Sequence, residues 1–306
     1  MVRFARRLVD IIAAIVVTLG APLFRAVGNW PGNFPLYRRQ ADRAGVHWRS
    51  THYYHPTYRD ADLPADVTGE RDLPGLDLHE AGQLDLLSAL AGYGNLAFDY
   101  DNPQFNAGDA DALYAMIRHV RPGLLIEIGS GHSTRVAAQA IARNRETGTP
   151  DECRHVCIEP YEMPWLEKLG PEIVRRKVED VPRETFDALG EGDIIFIDSS
   201  HVIRPFGDVT TELLQIVPRL AKGVLVHVHD IFTPRDYPER WLRRDRRLWN
   251  EQYLLEAMLA HSPRYRVRLA LNWLKHNHGD ALQRAFPILE QYPDAEPGSF
   301  WFEVAQ

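Results

Sequence analysis

The sequence is short of the features that mark secreted, repetitive or polyanion-binding chains. Two cysteines, Cys153 and Cys157, in 306 residues cannot build a disulfide framework, and their scarcity points to a reducing compartment. No tandem repeat or low-complexity segment occurs, so the fold is not a repeat array. Basic charge is not in excess: 35 Lys and Arg against 42 Asp and Glu leave a net charge of -7, with Arg scattered along the whole length. Such a chain is a poor partner for nucleic acid, and none is expected. Lysine is almost missing, at Lys168, Lys177, Lys222 and Lys275, a bias without functional content. What remains is ordinary for a soluble folded protein, 45% hydrophobic and 25% charged. The length suits one large α/β domain with an appendage, or two small domains.

Long hydrophobic runs are scarce too. The run Ile11 to Phe24, preceded by Arg3, Arg6, Arg7 and Asp10 and closed by Arg25, holds fourteen uncharged residues, fewer than the roughly 20 of an ordinary spanning helix. No small-x-small cleavage site follows cleanly, and Pro22 stands where a signal peptide would be cut. Arg38, Arg39 and Arg43 on the far side remove any orientation signal. Three readings stay open for residues 1–27: a helix in the membrane interface, an uncleaved anchor, or a helix docked on the domain. The shortness of the run favours the two that do not span. The expected location is cytoplasmic, with peripheral contact at the inner face of the membrane through residues 8–24 as the interfacial form of that reading.

Residues 28–106 resist a regular reading. Pro31, Pro35, Pro56, Pro64 and Pro74 punctuate them, and Trp48, His52, Tyr53, Tyr54, His55 and Tyr58 crowd together. The rings either pack on the main domain or form a cap that gives a pocket an aromatic wall. Only Leu76 to Ala91 reads as helix, with Leu84, Leu87 and Ala91 on one face.

From residue 107 the pattern becomes regular. Helix at 109–119 is followed by the buried strand 124–128, then helix 133–143 and strand 156–158. A short helix at 164–169 precedes a third strand near 173–178, and a helix near 183–189 precedes strand 194–197. Helix 210–220, strand 224–229 and helix 248–259 come next, and two β-rich runs, 265–271 and 300–304, close the chain. Strand and helix alternating at short spacing predict a three-layer α/β/α sandwich on a mostly parallel, Rossmann-like sheet. Such sheets bind ligands outside the carboxyl ends of their strands. The polar residues there are Glu127, Gly129-Ser130-Gly131, Glu159, Asp198 and His229-Asp230.

The turn Glu127-Ile128-Gly129-Ser130-Gly131 lets the backbone approach a ligand and opens a helix whose first N–H groups lack partners. A dinucleotide-binding turn would carry a third glycine, but Thr134 occupies that position. The acid before the first glycine repels a phosphate and suits a cation. A carboxylate at Glu159, ending the next strand, can accept both hydroxyls of a ribose.

In the order and type of these motifs, residues 107–306 resemble the class I S-adenosylmethionine-dependent methyltransferases, and the last two strands resemble that family's reversed β-hairpin edge. The stretches IEPYEMPWLEKL, DIIFIDSSHVIRP, VLVHVHDIFTPRDYP and WNEQYLLEA resemble bacterial members of small-molecule O-methyltransferase type. The resemblance implies S-adenosylmethionine as cofactor and a small-molecule acceptor. It implies that Glu127 and the turn Gly129, Ser130, Gly131 with His132, Ser133 and Thr134 hold the methionine end, that Glu159 holds the ribose, and that Glu179 and Asp180, ending the third strand, lie by the adenine. Asp198 and Ser199 would line the methyl-transfer cleft.

An oxygen nucleophile must lose its proton, to a base or under the influence of a metal. His201, His229 and Asp230 are the candidate bases. Asp198 and Asp230 match a divalent-metal alternative, with magnesium as the ion, although His229 departs from an oxygen-rich ligand pair. His227, deeper in the fifth strand, reads as a buried, hydrogen-bonded core histidine. Cys153, Cys157 and His155 read as buried, inert groups, and Arg240, Arg243, Arg244, Arg246 and Arg247 as a solvated helix face, with anionic-substrate binding the lesser reading. An NAD(P)-dependent oxidoreductase and a non-catalytic adenosylmethionine-binding scaffold are the alternatives from other classes.

Overall fold

A computed structural model describes residues 2–306 apart from 30, 48–50, 53, 95, 103, 149–152 and 162. Trp48 and Tyr53 of the aromatic run therefore lie outside the described residues. The chain forms two compact units, residues 1–67 and 68–306.

In the first unit, α1 runs from Val2 to Asn29, straight through Pro22, and α2 from Pro35 to Ala44. The apolar run is thus half of a helix of 28 residues, about 42 Å long at 1.5 Å per residue. Phe4 to Gly28 is long and apolar enough to cross a membrane by length and composition. This overturns the argument from shortness: helical residues on both sides extend the fourteen. Phe4, Val9, Leu19 and Leu23 are exposed along it.

The second unit holds one seven-stranded sheet. Its strands are β1 (Leu124–Ile128), β2 (Arg154–Ile158), β3 (Glu172–Val174), β4 (Ile194–Ile197), β5 (Leu225–Val228), β6 (Tyr265–Ala270) and β7 (Phe300–Val304), in the order β3-β2-β1-β4-β5-β7-β6. The first five run parallel, and β7 enters antiparallel between β5 and β6. The expected mostly parallel sheet with a reversed hairpin edge is what forms. Alternation along each strand divides the core into two layers. Ile126, Ile195 and Val226 face one; Leu125, Phe196 and Leu225 face the other, against α4 (Asp109–Val120) and α5 (His132–Glu146).

Helix α3 (Glu80–Leu90) buries Leu86, Leu87 and Leu90 in that second layer, and its Gln83 accepts a hydrogen bond from the Ala270 N–H. Residues 68–106 therefore pack as part of the sheet's own unit. The connection from β6 to β7 is helical, with α9 (Leu271–Asn277) and α10 (Gly279–Ala285). The expected helix at 210–220 breaks into an α turn at Asp208–Thr211, a π turn at Glu212–Ile216 and a 3-10 turn ending at Pro218-Arg219. Pro218 has no N–H to continue the ladder.

Two expectations at the sheet need correction. The third strand ends at Val174, so Glu179 and Asp180 do not terminate it but sit in a 3-10 turn, Val178–Asp180. His227 is core, as read, but without hydrogen bonds: neither ring nitrogen has a partner among the described residues. It stacks on Trp301, its register partner across β5 and β7, at 4.1 Å and 13°. Burial pushes it well below the usual histidine range, so the ring is neutral.

Candidate active site

The switch in strand order, where β1 is flanked by β2 and β4, opens a crevice above the carboxyl ends. Two adjoining cavities fill it, about 320 and 530 Å3, and both touch Gly129, Glu159, Asp198 and Ser199.

The glycine turn forms the floor. Gly129 takes φ +81°, a conformation open to glycine at little cost, and passes directly against the Asp198 carbonyl. Thr134, where a third glycine was sought, locks this turn. Its hydroxyl accepts from the Gly131 N–H at 3.1 Å and donates to Glu127 at 2.6 Å. Glu127 is fully buried and does not line the crevice; the Cys157 thiol also points to it, at 3.4 Å. Its position supports the turn from beneath. Thr134 is likewise buried below the cavity, whereas Ser130, Gly131, His132 and Ser133 line it.

Glu159 ties the end of β2 to the turn, accepting from the Ser130 N–H at 3.1 Å and the Tyr161 N–H at 2.8 Å. Glu179 lines the larger cavity beside Pro160 and Tyr161; Asp180, exposed one residue on, is not among its lining residues.

Asp198, His201 and Asp230 meet in the smaller cavity. Both His201 and Asp230 hold positive φ, 59° each, and non-glycine residues in that region cost about 1 kcal/mol or more and concentrate at functional sites. The His201 carbonyl is clasped by the Asn250 and Glu251 N–H groups at the start of α8 (Glu251–Leu259). The His201 ring pairs through Nδ1 with Glu251 at 2.9 Å and points Nε2 toward Asp198 at 3.3 Å and Asp230 at 3.7 Å. His229, by contrast, does not line the cavity. It is wedged under Phe105 with Asp109, Asp198 and Asp230 at 3.5 to 3.7 Å.

Charge follows from this crowding. Burial alone would lower both histidines, but the carboxylates outweigh it: His201 is pushed up to about 10 and His229 well above its usual range. Burial would raise Asp198, yet the two imidazoliums hold it far below the ordinary carboxylate value. Glu212, fully buried, accepts the Ser199 hydroxyl, and burial with the neighbouring Glu251 pushes it well up.

One expected result follows in chelator-treated protein. His201 gains its partners on folding, so its pKa rises from 6.5 to about 10, and the stability it contributes is complete below the lower value and lost as pH climbs toward the upper one. Thermal melting should therefore decline across this window in the wild type and more gently in His201→Gln. An equally steep decline in the variant would show that His201 is not the titrating group.

Sequence reasoning found the acids and histidines but missed Gln104, Asn106, Trp241 and Trp249 of the opposite wall, and read Arg247 first as part of a solvated helix face, with anionic-substrate binding the lesser reading. The only available signal was the density of Trp and Arg just after the fifth strand. Of the two cysteines read as buried, Cys157 is buried and Cys153 half-buried; burial pushes Cys153 up to about 11 and Cys157 higher still. However, Cys157 groups with Glu127 and His155 rather than with Cys153.

With strand order, glycine turn and acidic crevice in place, a family likeness can be set beside them: residues 126–231 match the family model described as Methyltransferase domain. Among relatives, an uncharacterized protein of Archaeoglobus fulgidus is 30% identical over 147 residues, which span 42% of this chain and 64% of that protein. The chain thus spans less than two thirds of that relative's length. Solved structures with some likeness include an SAH-bound methyltransferase of Podospora anserina, with 17% identity over 64% of this chain and 78% of that one and a TM-score of 0.38. An O-methyltransferase from Bacillus cereus in complex with SAH has 13% identity over 74% and 91%, and a TM-score of 0.36.

Proposed function

We propose that the chain transfers a methyl group from S-adenosylmethionine to a hydroxyl oxygen of a small molecule. The observation that carries this reading is the continuity of the crevice, in which the glycine turn, Glu159 and the Asp198–His201–Asp230 group line one space. When bound, the cofactor would supply a sulfonium methyl group open to in-line attack by the acceptor oxygen, with S-adenosylhomocysteine as the leaving group. The protein's work is then alignment and exclusion of water. The turn Gly129–Gly131 with Ser133 would hold the methionine end, Glu159 the ribose, and Glu179 with Tyr161 would border the adenine. A cationic sulfonium sits well near Asp198, whose negative charge is secured by two histidines.

The acceptor's proton goes to Asp230. His201 already carries a proton, and Asp198 is held too low to take one. His229 has no access to the cavity, which removes it from the candidate bases. His201 therefore acts as a positioning cation between the carboxylates.

A second reading rests on a specific observation: Asp198, His201 and Asp230 each offer a donor atom, all within 4.8 Å of one another. Two carboxylates and an imidazole whose other nitrogen is fixed by Glu251 form a donor set that suits a divalent ion. Such an ion would lower the pKa of the acceptor hydroxyl. The exposed apolar surface of α1 supports membrane association of the enzyme through this helix.

Calorimetric titration of dialysed protein tests these readings together. S-adenosylhomocysteine should bind in the micromolar range and NADH should not; tighter binding or faster transfer with magnesium would favour the metal form. Binding of NADH alone would move the assignment to an oxidoreductase, and cofactor binding with no methylated product from any acceptor would leave a scaffold.

A further inference from the structure

Residues 240–247 carry five arginines, and four of them have partners. Arg240 pairs with Asp245 at 3.1 Å, Arg243 with Glu239 at 2.9 Å, Arg244 lies 3.9 Å from Asp245, and Arg246 donates to the Arg243 carbonyl. Arg247 differs in three respects. Its guanidinium has no acidic partner among the described residues, and it alone of the five lines the smaller cavity. It is also held by two indoles, 4.0 Å from the Trp241 ring centre and 4.4 Å from that of Trp249. The two rings meet edge to face at 5.0 Å, and the Arg247 N–H returns to the Trp241 carbonyl at 3.0 Å. Trp249 in turn lies against His201 at 4.2 Å. The guanidinium is thus pre-positioned on the wall that leads to the reacting group. A stacked arginine keeps its planar fork free for a bidentate anion and loses little rotamer freedom on binding one.

We propose that Arg247 recognises a carboxylate of the acceptor, so that the substrate is a hydroxylated carboxylic acid. This rests on the methyltransferase reading and adds to it the chemical class of the acceptor. The rest of the cavity selects the orientation. At the reacting end Asp198, Asp230 and Glu159 outnumber the protonated His201 and disfavour an anion, so the acid group goes to Arg247 and the hydroxyl toward Asp230. A monoanionic carboxylate fits a cavity lined by three carboxylates, Glu159, Asp198 and Asp230, better than a dianionic phosphate does. The same guanidinium chemistry could serve the carboxylate of the cofactor's methionine end, and the test separates the two sources.

Wild type, Arg247→Gln and Arg247→Lys are titrated with S-adenosylhomocysteine and with methylthioadenosine, which lacks the amino-acid carboxylate. Each protein, saturated with S-adenosylhomocysteine, is then titrated with a panel of hydroxybenzoates, hydroxycinnamates and sugar acids, every acid beside its methyl ester. The expected result is at least one acid bound about tenfold or more tighter than its ester by the wild type. Arg247→Gln should erase that preference, Arg247→Lys should keep part of it, and affinity for S-adenosylhomocysteine should be the same in all three. The proposal is overturned if acids and esters bind alike, or if no acid binds. It is equally overturned if Arg247→Gln weakens S-adenosylhomocysteine but not methylthioadenosine, which would assign the guanidinium to the cofactor. Failure of the wild type to bind S-adenosylhomocysteine at all would remove the methyltransferase reading, and this proposal with it.

Discussion

Glu159→Ala is expected to weaken S-adenosylhomocysteine binding about 100-fold or more without unfolding the chain. Glu159 lines both cavities, as Asp198 does, and its backbone follows directly on β2. Two hydrogen bonds from ribose hydroxyls to a carboxylate contribute about 1.5–3 kcal/mol each, and each 1.4 kcal/mol is a factor of ten in affinity. Even the low end of that range gives the stated loss. The same side chain holds the Ser130 and Tyr161 N–H groups, so the alanine variant also loosens the turn. Both N–H groups border the open crevice, where water can replace the lost acceptor, and the cost in stability should stay near 1 kcal/mol. Glu159→Gln, which keeps an acceptor but loses the charge, should fall between. Calorimetric titration with a melting curve for each variant measures both quantities. Unchanged affinity in the alanine variant would place the ribose elsewhere.

The alternation of strands and helices was legible because parallel strands buried on both faces are short and apolar, and β1, β4 and β7 have the bounds that their apolar runs imply. The third strand was misjudged because its expected span ran on through Arg175-Arg176-Lys177 to the next apolar residue, Val178, whereas only Glu172–Val174 pairs with β2. Helix α1 was underestimated for a related reason. Charged residues end an apolar run without ending a helix, so counting uncharged residues measures the wrong length. At the site, the strand-end rule located Glu159, Asp198 and Asp230 because position in a parallel sheet fixes which residues face the crevice. It failed for His229, which shares that position but turns beneath Phe105. It was silent on Trp241, Arg247 and Trp249, which reach the cavity from a π turn, Arg240–Arg244, and the loop after it, away from any strand end.

The two glycines of the turn look equivalent in sequence, yet their substitution should have opposite consequences. At Gly129 a methyl group would stand 2.0 Å from the Asp198 carbonyl oxygen, on a backbone at φ +81°. Neither the strand ends nor the carbonyl can move aside, because the Asp198 N–H is bonded to the Ile128 carbonyl and the Gly129 N–H to that of Ile158. Left-handed strain of about 1 kcal/mol adds to an overpacking cost of about 3 kcal/mol or more. Gly129→Ala is therefore expected to lose about 4 kcal/mol, a large share of the stability of a typical domain, and to lose cofactor binding with it. At Gly131 nothing lies within 4 Å of the added methyl, and its φ of 178° is ordinary extended backbone. Gly131→Ala should melt like the wild type. Its methyl would instead project beside a cavity-lining turn, so any loss should appear only in S-adenosylhomocysteine affinity, about tenfold where the cofactor approaches the backbone closely. Melting curves and titrations of the two variants separate a glycine required by the fold from one required by the ligand. A Gly131→Ala variant that melts normally and binds normally would mean that the cofactor's methionine end keeps its distance from this turn.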